Sequence, residues 1–226
     1  MQKEGAIMNR QEFMQQLQPI IPPEGIRQVS HAYWLAKEMH RKQVRDGKIG
    51  MNMVEILLTK FLRAIGSDLR IVRGERYFEH CRRVAIQVVC WGSHDADEVT
   101  SALLHDCIED CYPPQDLLEG VFPKHVVQAV ETLSKVTRVF DECGAIIKKR
   151  KKSAEEYWGG IREAPVWVRR VKLADRLDNL RSMHVWQDAR KQKYLLETET
   201  YILPIARMTD ERFCQDIVLV MREYKK

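Results

Sequence analysis

The chain runs to 226 residues, 45% of them hydrophobic and 31% charged, with a net charge of +5 at neutral pH. That balance excludes a disordered chain, and with no Gly/Ser- or Pro-rich divider, residues 1–226 are expected to bury one core as one domain. No apolar stretch is long enough to cross a bilayer and the N-terminus lacks a secretory pattern, which points to the cytoplasm and to free thiols at Cys81, Cys90, Cys107, Cys111, Cys143 and Cys214.

Apolar residues recur at three- and four-residue steps nearly throughout, so the fold is expected to be all-α, a bundle or orthogonal array of helices. Asn9 opens a helix to about residue 17, before the breaks at Pro19 and Pro22-Pro23. A longer helix over 25–45 carries Val29, Ala32, Tyr33, Ala36 and Met39 along one stripe. After Asp46-Gly47, residues 51–65 read as an inserted amphipathic helix, its apolar face covered by the core or, in a homodimer, by a second subunit. Further helices are expected over 78–91, 96–109, 123–135, 154–162, 166–186, 189–207 and 210–224. The run Lys148, Lys149, Arg150, Lys151 and Lys152 reads as a solvated or mobile loop between two of them. Cys107 and Cys111 lie one helical turn apart and would suit zinc only if two more soft ligands converged there.

The sharpest chemical signal is Leu103-Leu104-His105-Asp106-Cys107-Ile108-Glu109-Asp110. Read as one helix, it stacks Glu109 over His105 and Asp110 over Asp106. An imidazole and a carboxylate can then share a divalent ion while a second carboxylate waits one turn away. Average residue frequencies give this four-position pattern by chance in roughly one such chain in a thousand, against about one in a few for a bare His-Asp. His94-Asp95 is such a bare pair, and its aspartate reads as a helix N-cap.

Two further stretches carry polar groups where apolar neighbours should bury them. Asp175, Asp178, Asn179 and Ser182 fall on one helix face, hemmed by Leu173, Leu177 and Leu180, and a buried carboxylate requires a cation or several donors. Beside the first motif, a ligand role for Asp175 is favoured over a merely solvated stripe. Arg73-Gly74-Glu75-Arg76-Tyr77-Phe78-Glu79-His80 leads into an apolar helix, and His80 alone would pass for a structural histidine.

Together, His80, His105-Asp106 and Asp175 resemble the H…HD…D pattern of the HD-domain phosphohydrolases. The flanks Gly74-Glu75-x-Tyr77-x-x-His80, His105-Asp106-x-x-Glu109-Asp110 and Lys172-Leu173-Ala174-Asp175-Arg176-Leu177-x-Asn179 resemble the hydrolase domain of RelA/SpoT enzymes, over about residues 30–207. The resemblance implies an all-α HD-domain array and removal of the 3′-pyrophosphate from ppGpp and pppGpp by a stand-alone hydrolase. It also implies manganese, or another divalent metal, held by His80, His105, Asp106 and Asp175. Glu109 and Asp110 would then handle the attacking water, with Tyr77, Asn179 and Ser182 lining the nucleotide pocket.

This chain also departs from that family. The inserted helix separates Arg45 and Lys48 from Gly74, leaving open which cation meets the substrate phosphates, with Arg73 or Arg76 as substitutes. The family's proline is Arg76, the proline after the ligand histidine is Cys81, and a histidine of the Asp175 motif is Asp178, a carboxylate that would alter charge near the metal. Another nucleotide or an NADP-like phosphoester therefore stays open as substrate. So does a non-catalytic helical module binding nucleotide or, less favoured, nucleic acid through the lysine run, although the paired acids Glu109 and Asp110, which a purely binding site does not need, argue against it.

Overall fold

A computed structural model describes residues 8–45 and 75–224. The inserted segment expected over 51–65, the dimer contact assigned to it, and Arg73 lie outside the described residues. The first helices are α1 (Arg10–Leu17) and α2 (Pro23–Met39). Asn9 caps α1 as read from the sequence, in a capping box with Glu12. Helix α2 stops sooner than the expected residue 45, because the chain next enters an extended bridge in which Val44 pairs antiparallel with Arg76. Arg45 N–H donates to the Glu75 carbonyl and Tyr77 N–H to the Gln43 carbonyl, so the chain leaves and re-enters beside itself around residues 46–74.

Helices α3 (Tyr77–Cys90) and α4 (Ala96–Leu104) follow, then a single turn, α5 (Cys107–Asp110). The helix expected over 96–109 is therefore broken, and broken at His105-Asp106. The Ala102 carbonyl, which a continuous helix would offer to Asp106 N–H, instead accepts from His105 Nδ1 at 2.8 Å. Asp95 caps α4 through a 2.8 Å bond from Asp97 N–H, as the bare His-Asp pair suggested.

After α6 (Gln115–Glu119) and α7 (Lys124–Leu133), the chain forms an antiparallel hairpin, β1 (Val136–Phe140) and β2 (Ile146–Lys151). The basic run thus lies largely in a paired strand, which corrects the reading of a loop between helices. β-branched and aromatic residues at Val136, Thr137, Val139 and Phe140 favour the pleated backbone, and Gly144 supplies the turn's positive φ of 78°.

The remaining helices are α8 (Ala154–Glu163), α9 (Val166–Ser182), α10 (Asp188–Glu197), α11 (Leu203–Thr209) and α12 (Glu211–Arg222). A π-helical stretch, Thr198–Ile202, joins α10 to α11 within the expected 189–207 helix. Pro204 has no N–H to offer the carbonyl four residues back, and a wider turn absorbs the loss. Helix α9 lies at the centre, packed on α3, α4 and α12, with Val171, Leu173, Ala174, Leu177 and Leu180 wholly buried. Each such valine or leucine side chain contributes roughly 1.5–3 kcal/mol by leaving water. Polar side chains on α9 between those leucines are thus held inside the protein. Among the described residues, no helix is long and apolar enough to cross a membrane.

Candidate metal centre

Three segments far apart in sequence meet on one face of α9. Helix α3 brings His80, the break between α4 and α5 brings His105 and Asp106, and α9 brings Asp175. His80 Nε2 stands 3.2 Å from Asp175 Oδ1 and 3.5 Å from Asp106 Oδ2. His105 Nε2 stands 3.0 Å from Asp106 Oδ2 and 3.7 Å from Asp175 Oδ1. The ligand atoms of His80, His105 and Asp175 all lie within 4.8 Å of one another. Asp106, with its side chain 19% exposed, forms the outer wall.

The hydrogen bonds behind the imidazoles decide which nitrogens face inward. His80 Nδ1 lies 2.7 Å from Asp178 Oδ2, and His105 Nδ1 lies 2.8 Å from the Ala102 carbonyl. A carboxylate and a carbonyl only accept, so both Nδ1 atoms carry hydrogen and both Nε2 lone pairs point at the carboxylates. His105 Nε2 is buried without a hydrogen-bond partner, despite its short approach to Asp106. Four electron-rich atoms facing one another require protons or a cation between them. With protons alone, burial lowers the pKa of His80, yet Asp106, Asp175 and Asp178 prevail and push it up to about 9. The donor set of two imidazoles and two carboxylates fits a divalent metal.

The supporting contacts are equally specific. Asp175 Oδ2 accepts from Lys172 Nζ at 2.7 Å and Oδ1 from Asn179 Nδ2 at 2.5 Å. Burial opposes its ionisation, but Lys172 and the two imidazoles hold it well below the usual carboxylate range. Tyr77 Oη donates to Asp106 Oδ2 at 2.7 Å, its phenol raised far above the tyrosine range by burial and the Asp106 charge. The Tyr77 ring stacks on His40 at 4.8 Å and meets His80 edge-on at 5.8 Å.

The expected catalytic pair divides. Glu109 Oε2 accepts from Lys135 N–H at 3.0 Å, which ties it to the approach to β1 and not above His105, as one continuous helix would have placed it. Asp110 is half-buried, its N–H bonded to the Asp106 carbonyl, and burial together with the Asp106 charge pushes its carboxyl up to about 6.

Of the residues expected to line the nucleotide pocket, Tyr77 and Asn179 touch candidate ligands, whereas Ser182 Oγ donates to its own helix at the Asp178 and Asn179 carbonyls. Asp178 lies behind His80, and so does not add a charge to the cluster's inner face. Arg45, read only as a displaced cation, reaches Asp178 Oδ2 at 2.7 Å and also donates to Asn179 Oδ1.

Sequence reasoning missed Arg83 and Lys172, although each lies three residues from a candidate ligand on the same helix, a spacing that puts both on one face. It also missed Gln43, whose Oε1 lies 2.6 Å from His40 Nδ1 and whose amide donates to the Asp110 carbonyl at 3.2 Å. His40 lies 3.7 Å from Cys107 Sγ and 3.5 Å from Cys111 Sγ, but among the described residues the one cluster of three or more ligand atoms mutually within 4.8 Å is that of His80, His105 and Asp175.

A helical array carrying an H…HD…D cluster around its central helix defines a class. The chain belongs to the HD-domain family, whose model matches residues 57–207. Its curated relatives include a guanosine-3′,5′-bis(diphosphate) 3′-pyrophosphohydrolase of Aquifex aeolicus, 26% identical over 81% of this chain and 22% of the relative. The bifunctional (p)ppGpp synthase/hydrolase SpoT of Escherichia coli is 25% identical over 85% of this chain and 23% of the relative. The chain thus spans less than a quarter of the length of these relatives. A solved structure of a metazoan ortholog of SpoT, described as hydrolysing ppGpp and acting in starvation responses, superposes with a TM-score of 0.63 at 19% identity. That match covers 87% of this chain and 95% of the other, and shows a shared fold.

Proposed function

We propose that this chain is a manganese-dependent phosphohydrolase, a single cytoplasmic HD catalytic domain that removes the 3′-pyrophosphate from ppGpp or pppGpp. The observation that carries the reading is the convergence of His80, His105, Asp106 and Asp175, with both Nε2 atoms within 3.7 Å of both carboxylates. Relatives named for hydrolysis of the same nucleotide support the substrate.

His80, His105, Asp106 and Asp175 hold the metal in this reading. When bound, a divalent cation lowers the pKa of water and offsets charge on phosphoryl oxygens. Asp110, with a pKa near 6, is a carboxylate at neutral pH yet basic enough to take a proton from the attacking water, and Glu109 supports it. Tyr77 fixes Asp106 by its 2.7 Å bond, and Asn179 fixes Asp175. Arg45, bonded to Asn179, supplies positive charge for the anionic nucleotide, as Arg73 would, and Ser182 would offer it a neutral hydroxyl.

The test is incubation of purified protein with MnCl2 and ppGpp, reading released pyrophosphate. Metal-loaded protein that releases none rejects the substrate, and a panel including NADP and other nucleotides then identifies the phosphoester. Asp106→Ala is expected to lose the metal. Glu109→Ala and Asp110→Ala are each expected to keep the metal and lose turnover, the second by roughly 10²-fold or more, the scale of general-base catalysis. Retained turnover in Glu109→Ala would remove that residue from the mechanism.

A further inference from the structure

Asp178 stands where the resembled family carries a histidine, and its surroundings explain how a carboxylate can be kept there. The side chain is 7% exposed, and a carboxylate so buried costs several kcal/mol unless paired. Arg45 Nη1 reaches Oδ2 at 2.7 Å, while Arg83 Nε reaches Oδ1 at 2.6 Å and its Nη2 reaches Oδ2 at 3.1 Å. Arg83 is itself held on its far side by Glu75, and Arg45 by Asn179. Both oxygens are occupied, so the carboxylate is pinned behind His80. Its remaining contact is the 2.7 Å bond between Oδ2 and His80 Nδ1.

That bond fixes two properties of His80. The proton must sit on Nδ1, because the carboxylate offers only lone pairs. The ring plane must then aim Nε2 at Asp106 and Asp175, where it lies within 3.5 Å of both. A carboxylate behind a ligating imidazole sets tautomer and orientation and raises the basicity of the metal-facing nitrogen. The two arginines come from opposite sides of the segment 46–74, Arg45 at its start and Arg83 on the helix that follows, so the carboxylate also ties the two ends of that excursion to α9.

We propose that Asp178 is a positioning residue for the metal centre, holding His80 as its Nδ1–H tautomer with Nε2 toward the cation, and that Arg45 and Arg83 clamp it in that role. The inference rests on reading the His80, His105, Asp106 and Asp175 cluster as a metal site.

The experiment is calorimetric titration of metal-free protein with MnCl2, for wild type and Asp178→Asn. Asparagine keeps the size but offers a single acceptor to three donor groups. The expected result is a loss of Mn2+ affinity of about 10- to 100-fold in a folded variant. A variant that binds within twofold of wild type overturns the proposal. Should Asp178→Asn not fold, wild type decides alone. Imidazole ¹⁵N–¹H spectra, with Zn2+ as diamagnetic probe, are expected to show His80 protonated at Nδ1 and ligated through Nε2, and the opposite tautomer overturns the proposal. In a folded Asp178→Asn, a merely structural role for Asp178 would leave that spectrum unchanged. Wild type that takes up no metal sinks the metal reading and this inference together, whereas tight wild-type binding matched by the variant sinks this inference only.

Discussion

Glu98 on α4 has one oxygen 2.7 Å from Ser93 Oγ, which donates to it, and the other 3.0 Å from Arg170 Nε. The second approach lacks hydrogen-bond geometry, since Glu98 Oε1 and Arg170 Nε both count as unpartnered buried atoms. Burial therefore outweighs the help from Ser93 and Arg170, and the carboxyl is pushed up to about 7. Because the folded value lies above the unfolded value of about 4.3, the native state keeps a proton that the unfolded chain has released across that window. Its contribution to stability is full below the unfolded value and is lost as pH rises through 7. Glu98→Gln keeps an acceptor for Ser93 and removes the titration. Relative to wild type, its unfolding free energy in urea should gain roughly 2–3 kcal/mol between pH 5 and pH 8, and a difference that does not change with pH would refute the linkage. The candidate metal ligands show the same contest between burial and charge, but there residue type and spacing announced it. The convergence of His80, His105, Asp106 and Asp175 was readable because their motifs are local. Arg45 was not assignable, because its partners Asp178 and Asn179 lie more than 130 positions away.

Helix packing puts a close approach at Gly25, where α2 crosses the start of α4. A Cβ built there would lie 2.6 Å from Ala96 Cβ and 2.9 Å from Ile21 Cγ2, inside van der Waals contact. Gly25→Ala is expected to lose about 1–3 kcal/mol by forcing the two helices apart. Gly160 lies on the exposed side of α8 with nothing within 4 Å of the same position, so Gly160→Ala should gain about 0.5–1 kcal/mol. Parallel urea titrations check both, and equal effects at the two sites would contradict the packing account. Neither close approach nor open space can be read from a glycine's neighbours in sequence. Elements with strong periodicity, such as α3, α7 and α12, were legible to within a few residues, because a sustained apolar stripe and clear end signals set them. Two features escaped for physical reasons. The hairpin was obscured by its lysine-rich strand, whose charges mask β-branched residues on the partner strand. The helix break at residue 105 comes from a side chain competing for a backbone carbonyl, a contest that periodicity does not register.

At the scale of the molecule, the candidate metal centre, once loaded, would be a cross-link. It joins α3, the α4–α5 break and α9, which contribute most of the buried apolar residues named above, and no such constellation persists in an unfolded chain. A cation that binds the native state alone stabilises it by RT ln(1 + [L]/Kd), about 2.7 kcal/mol at a hundredfold excess over Kd. For a domain of this size, each kcal/mol moves the melting midpoint by roughly 2–4 °C. Chelation followed by MnCl2 at such an excess should therefore raise the midpoint by roughly 5–10 °C. Asp106→Ala should show no such rise, because it removes an oxygen that both imidazoles face, at 3.5 Å and 3.0 Å. Differential scanning fluorimetry over a MnCl2 series measures both proteins side by side, with metal content verified before each scan. A wild-type midpoint that ignores the metal would mean that the four side chains meet without holding an ion between them, and the protons invoked above would then be the only counter-charge in the cluster.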